Sequence, residues 1–240
     1  MKTITFSFLM LLNICAIAQN SSFKMPAAIK FDKNVVQKIE DKKTSAISYY
    51  FTASGDYMAL KPDSKESSLI IYTRDGDMMV VNEKDKSIIV MNMKKFMTTM
   101  INVAKDIRDK KGSKDSADAN TSFKKTGKAK SISGYTAEEY EIKHDNDLIN
   151  VWYLKTDFDA NLLGFFGFGK MGNMPNAKQA ATPSQFSDIP SLGKNYMLAE
   201  MEKNGKKIIE TESIENTNFT FSTAGYTVRD MTSLMKGNYQ

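Results

Sequence analysis

Between Ile29 and Met93 short apolar or β-branched runs recur at strand-length spacing, separated by clusters of Gly, Asp, Asn and Lys. This pattern constrains the fold more than any other feature, because a helical face needs a repeat near 3.6 and these runs are too short and too regularly interrupted to supply it. The spacing predicts an antiparallel meander with strands at Val35 to Glu40, Ala46 to Thr52, Asp56 to Lys61, Ser68 to Arg74, Met78 to Asn82 and Ser87 to Met93. Turns fall at Ala53-Ser54-Gly55, Asp75-Gly76 and Glu83 to Lys86, where the residue types tolerate tight backbone geometry.

The period then changes. Phe96, Met97, Met100, Ile101, Val103, Ala104 and Ile107 recur at steps of three and four within Lys94 to Arg108, which predicts one amphipathic helix. Asp109 to Ser122 holds no large apolar residue and reads as a mobile polar loop. Strands resume at Lys130 to Ile132, Thr136 to Lys143, Leu148 to Thr156, Tyr196 to Lys203, Lys207 to Ile214 and Asn218 to Phe221. Asn204-Gly205 is a type I′ hairpin signal, and Arg229 to Met235 reads as one or two helical turns.

The expected fold is therefore mainly β: a strongly curved antiparallel sheet or half-barrel of about ten strands, with one main helix covering its concave face. The first eighteen residues are set apart from it. Lys2, an apolar run from Ile4 to Ala18 and the Ala16-Ile17-Ala18 ending have the form of a secretory signal peptide cut before Gln19. The run is too short to span a bilayer, so no transmembrane segment is expected after cleavage and the destination is periplasmic or secreted. Removing eighteen of the 240 residues leaves 222, read as one domain over 19–240.

Composition excludes several classes of chemistry. Cys15 is the only cysteine and lies in the signal segment, so the mature chain has no disulfide and no thiolate. His144 is the only histidine, in a polar turn, which removes histidine triads and histidine metal sites. The net charge of +5 falls to +4 without Lys2 and is dispersed, with Lys124-Lys125 and Lys128 to Lys130 reading as solvated surface. Nucleic acid is not an expected partner. The pairs Glu138-Glu139 and Asp157/Asp159 are read as solvated, with neighbouring side chains on opposite faces of a strand. An enzyme is not expected, and no cofactor.

What remains is apolar. Phe158 to Gly169 reads FDANLLGFFGFG, and of sixteen methionines many accompany aromatics in Met78 to Met100, Phe158 to Met174 and Met197 to Met201. Methionine adapts to varied apolar ligands, and glycines around aromatics suit a moving lid. The candidate ligand-binding residues are Phe96, Met97, Met100, Ile101, Leu162, Leu163, Phe165, Phe166 and Phe168, closing over a lipid or a lipidated partner. The alternative is an envelope protein whose Phe158 to Met174 segment docks another protein. A third reading is thioether copper binding at Met91-x-Met93, Met97-x-x-Met100 and Met171-x-x-Met174. Trp152 and Tyr135 are assigned to the core.

At Ile132-Ser133-Gly134-Tyr135, Glu139-Tyr140, Val151 to Thr156, Phe219-Thr220-Phe221 and Ala224-Gly225-Tyr226 the chain resembles a secreted bacterial family known only as domain of unknown function number 4412. The resemblance spans roughly residues 125 to 230 and implies no activity. Members often carry a Cys near the position of Ala137, which this chain lacks. More distantly, the order of meander, helix and meander is similar to LolA/LolB-like lipoprotein carriers, which implies a curved sheet around an apolar hollow.

Overall fold

The computed structural model describes residues 24–40, 44–64, 68–93, 121–144, 147–160 and 192–231. Twelve strands form one antiparallel-dominated sheet, and two more form a separate ribbon. The N-terminal wing is a meander of β2 (Lys33–Glu40), β3 (Thr44–Phe51), β4 (Tyr57–Pro62), β5 (Leu69–Thr73), β6 (Asp77–Asn82) and β7 (Ser87–Asn92). The C-terminal wing is a meander of β8 (Thr121–Ile132), β9 (Tyr135–His144), β10 (Asp147–Lys155), β11 (Tyr196–Lys203) and β12 (Lys206–Asn216). Pairing of β12 with β2 joins the wings. At the far edge β14 (Thr227–Asp230) adds to β7 in parallel, and β1 (Ala28–Lys30) pairs with β13 (Thr220–Ser222) as the ribbon.

Local sequence accounts for the turns. Asn204 and Gly205 both have positive φ, as a type I′ hairpin requires, and Ser133-Gly134 joins β8 to β9 in the same way. Gly55 is needed for a second reason. A Cβ there would lie 2.7 Å from the Asp159 Cβ and 2.7 Å from an Arg74 amino nitrogen.

Each wing buries a face. The ribbon places Ile29 and Phe221, with Phe31, against Ile71, Met79, Val81 and Ile88, and Phe219 stacks on Phe31 at 5.5 Å. A second cluster fills the C-terminal wing with Ile142, Val151, Tyr153 and Met201. A third unites Phe51 and Met58 of β3 and β4 with Ile132, Ala137 and Leu154 of β8 to β10. In a flat sheet β4 and β9 would lie roughly 30 Å apart at the usual strand spacing, so this cluster requires a sharp bend. The segment after β10 wedges into the bend: Phe158 packs on Phe51 at 5.1 Å, Asp157 accepts hydrogen bonds from the Tyr135 hydroxyl (3.0 Å) and Lys33 (3.2 Å), and Asp159 pairs with Arg74 at 3.2 Å.

Several expectations are corrected. The architecture is almost wholly β, a large open sheet, and no helical element occurs among the described residues; the main helix over a concave face is therefore not part of the fold described, and residues 94–108 lie outside the description. Among the described residues the ribbon covers one face of the N-terminal wing and the bend packs the two wings on one another, so these parts of the sheet gain their second layer from strands. Residues Arg229 and Asp230, expected as helical, lie in β14, where the backbone pairs with Ile89 and Val90. Strand β8 begins at Thr121 and so takes in the end of the expected polar loop, whose residues 109–120 lie outside the description. The first eighteen residues also lie outside it.

Candidate functional site

Two surfaces, one in each wing, have the character of sites. The first lies on the face of the N-terminal wing opposite the ribbon. Strand register sets Ile214, Val35, Tyr49, Leu60, Ile70, Val80 and Ile89 side by side across successive strands from β12 to β7. A second row runs Phe51, Met58, Tyr72, Met78 and Met91. Alternation along each strand puts both rows on one face. Burial fades along them: Val35, Phe51 and Met58 are fully enclosed, Ile70, Tyr72, Met78, Val80 and Met91 are half-buried, and Ile89 is 37% exposed. Burial pushes the Tyr49 hydroxyl up to about 12, so it stays neutral and acts as an apolar packing group with a polar tip.

The second surface is a cavity of about 430 Å³ on the C-terminal wing. Here the register places Glu139 opposite Trp152, Trp152 opposite Glu200, and Glu200 opposite Glu210. Asn150 faces Glu202, which faces Lys207. This is the reverse of the face that carries Val151 and Met201, since neighbours along a strand point to opposite sides.

Three interruptions of the ladder surround the cavity. Between Lys125 and Ala129 the residues Thr126, Gly127 and Lys128 bulge out of β8 opposite Glu139 alone, with Gly127 at φ +87°. The bulge aims two donors at one carboxylate: the Thr126 hydroxyl donates to Glu139 Oε2 at 2.7 Å, and Lys128 pairs with the same oxygen at 3.0 Å. Further register shifts occur at Trp152/Tyr153 and at Met201/Glu202. Bulges of this kind re-aim side chains, and they concentrate beside functional sites.

The electrostatics are those of neutralised charge. Burial of the Glu139 side chain, 6% exposed, pushes its carboxyl upward, but the Thr126 hydroxyl and the Lys128 ammonium outweigh burial and hold it below the usual carboxylate value. Lys130 pairs with Glu200 at 2.6 Å and sits 4.2 Å from the centre of the Trp152 ring. The hydrogen bond from Lys207 to Glu210, at 2.6 Å, raises the lysine and lowers the glutamate. Among the described residues no group of three or more His, Cys, Asp or Glu is placed to hold a metal ion. A general acid at neutral pH needs a raised carboxyl, and Glu139 moves the other way.

The expected ligand residues Phe96, Met97, Met100, Ile101, Leu162, Leu163, Phe165, Phe166 and Phe168 all lie outside the described residues. Of the copper candidates only Met91 and Met93 are described, and Met91 pairs across the ladder with Met78 as part of the apolar row. Trp152 and Tyr135 do pack against the central cluster, but Trp152 also lines the cavity. Glu138 and Glu139 point to opposite faces as expected, yet Glu139 is buried rather than solvated. Asp157 and Asp159 each pair with a cation of the N-terminal wing. Lys128/Lys130 and Glu200/Glu202 stand two apart in the sequence, but spacing alone does not show that the paired strands bring them together beside Trp152.

The family profile described as domain of unknown function (DUF4412) matches residues 35–223, from the first residues of β2 to just past β13. The chain belongs to this family. The DUF4412 match thus covers both wings and both surfaces, and it carries no activity with it. No functionally curated protein is significantly similar in sequence. Among solved structures, PNGF-II in a C2 crystal form is 13% identical with a TM-score of 0.43, covering 86% of this chain and 32% of its own. The P21 form of PNGF-II gives 12% and 0.41, covering 87% and 33%. An uncharacterized conserved protein from Thermus thermophilus gives 5% and 0.39, covering 93% and 99%. The chain spans about a third of the length of PNGF-II. Kinship with LolA/LolB-like carriers is not established by these similarities. No helix among the described residues is long and apolar enough to cross a membrane.

Proposed function

We propose that this DUF4412 protein is an exported, non-enzymatic binding protein that takes an apolar ligand, a lipid or the acyl chain of a lipidated partner, against β5 to β7 of the N-terminal wing. The observation that carries the reading is the pair of apolar rows whose burial fades from Val35 and Met58 to Ile89. These rows stay aliphatic, aromatic or thioether from β3 to β7, a longer apolar run than the wedge at the bend needs, and reach a polar residue only at Arg229 of β14, beside Ile89. Met78 and Met91 lie side by side there and adapt to ligands of differing shape at small cost. The residues predicted from sequence, Phe96 to Ile101 and Leu162 to Phe168, are further contacts in this proposal. Export follows from the signal-like first eighteen residues.

The test is native mass spectrometry of the protein expressed to the periplasm of a Gram-negative host, followed by organic extraction. The proposal expects a fatty acid or phospholipid at near one-to-one ratio. A clean apo mass at full stability would contradict it and favour protein docking on the same strands.

A further inference from the structure

We propose that the Trp152 cavity is a saccharide-binding site that takes a neutral, hydroxyl-rich ligand, independently of any apolar ligand on the other wing. Two of the three carboxylates that line the cavity are already matched. Glu139 is held by Thr126 and Lys128, and Glu200 by Lys130 at 2.6 Å. A phosphate would have to take these lysines from their carboxylates, and a ligand ammonium on the indole would have to displace Lys130 from Glu200 and from the ring 4.2 Å away, while the remaining carboxylate, Glu202, already stands opposite Lys207 and in its field. Each exchange breaks a charge-assisted bond to make one. Hydroxyl groups impose no such exchange. They accept from ammonium N–H groups that point past their carboxylate, and donate to carboxylate lone pairs left over, so the ion pairs remain intact.

The rest of the lining matches the same chemistry. Asn150 and Glu202 face each other across β10 and β11, and neither side chain has a hydrogen-bond or ion-pair partner among the described residues. The amide supplies both a donor and acceptors, and the carboxylate supplies acceptors only, which suits a ring bearing several hydroxyls. Trp152 contributes apolar surface for the C–H groups of a sugar on the part of its indole that Lys130 and the central cluster leave exposed. The bulges at Thr126–Lys128, Trp152/Tyr153 and Met201/Glu202 keep this patch from being a flat ladder, and about 430 Å³ is room for one or two sugar rings.

Trp152 is the only tryptophan of the chain, so its emission is a single-site signal from the cavity wall. The experiment titrates the intact protein with maltotriose, cellotriose and chitotriose, and with inorganic phosphate and choline as charged probes. At least one neutral oligosaccharide should shift the emission saturably. In Asn150→Ala and Glu202→Gln its Kd should rise about tenfold at unchanged melting temperature, each change removing one ligand contact. A response to phosphate or choline without a response to any sugar overturns the proposal, as does silence from all three sugars up to about 10 mM, a concentration well above a 1 mM Kd. Sugar binding that both variants leave unchanged also overturns it. None of these outcomes bears on the lipid reading, because Asn150 and Glu202 lie outside the apolar rows.

Discussion

The two wings use the same antiparallel ladder for opposite ends. Followed from strand to strand, the N-terminal wing sets Leu60, Ile70, Val80 and Ile89 in one line, and the C-terminal wing sets Glu210, Glu200, Trp152 and Glu139 in another. Register alone decides what stands beside what, so a two-residue alternation in each strand becomes a stripe across the whole sheet. In the first wing the stripe is continuous and apolar, with no bulge between β3 and β7. In the second it is polar and broken by bulges that turn side chains toward one another. Regular pairing yields a smooth apolar surface, and interrupted pairing yields a pocket with directed hydrogen bonds.

The wings meet at Phe158, which is where the comparison can be broken outright. Phe158→Ala should cost about 3–5 kcal/mol, because the ring is buried against Phe51 in the cluster shared by both wings. Urea unfolding followed separately by Trp152 emission and by far-ultraviolet circular dichroism would show one shared, lowered midpoint; two separate midpoints would mean the wings are independent. The Gly55→Ala variant should be next, at about 1–3 kcal/mol, since alanine there must hold φ +67° and press on Asp159 and Arg74. Its melting temperature should fall well below that of Gly134→Ala, where φ is also positive but a Cβ meets nothing within 4 Å.

Glu139 sharpens the contrast on the polar side. Glu139→Gln should cost about 1–3 kcal/mol at neutral pH, because it leaves Lys128 without its partner and weakens the acceptor of Thr126. The folded-state carboxyl titrates below its ordinary value, so the stability it contributes is present above that value and is lost as pH falls through the folded one. The gap between wild type and variant should therefore narrow on acidification from pH 7 toward the carboxylate range. A gap independent of pH would contradict the role given to Glu139. The smallest effect on stability is expected at the apolar rim, where Ile89→Asn should change unfolding by no more than about 0.5 kcal/mol. Its binding of a fluorescent fatty acid should nevertheless weaken several-fold.

Much of the sheet was legible in the residues. Strand-length spacing located β2 to β7, and the Asn204-Gly205 signal has the two positive φ values of its turn. Three things were not legible, each for a physical reason. Strand β1, only Ala28 to Lys30, is too short to show a period and exists because β13 pairs with it across almost the full length of the chain. Strand β14 is held from outside its own sequence: Tyr226 donates to Glu83 at 2.5 Å and lies under Lys86 at 4.8 Å, which anchors the segment beside β7. The polar cavity depends on bulges, and a bulge is a property of two paired strands that neither strand shows alone. Glu139 looked solvated for that reason. The bulge of β8 brings Thr126 and Lys128 onto its carboxylate from across the ladder.

The central claim, that the apolar stripe of the N-terminal wing receives an acyl chain while the charged stripe does not, is tested most directly by photo-crosslinking. A fatty acid carrying a diazirine near its methyl end would be bound, irradiated and mapped by peptide mass spectrometry. The account predicts adducts on β5 to β7, within residues 69–92, that competition with unlabelled fatty acid removes. Adducts confined to β8 to β12, or none above background, would contradict it.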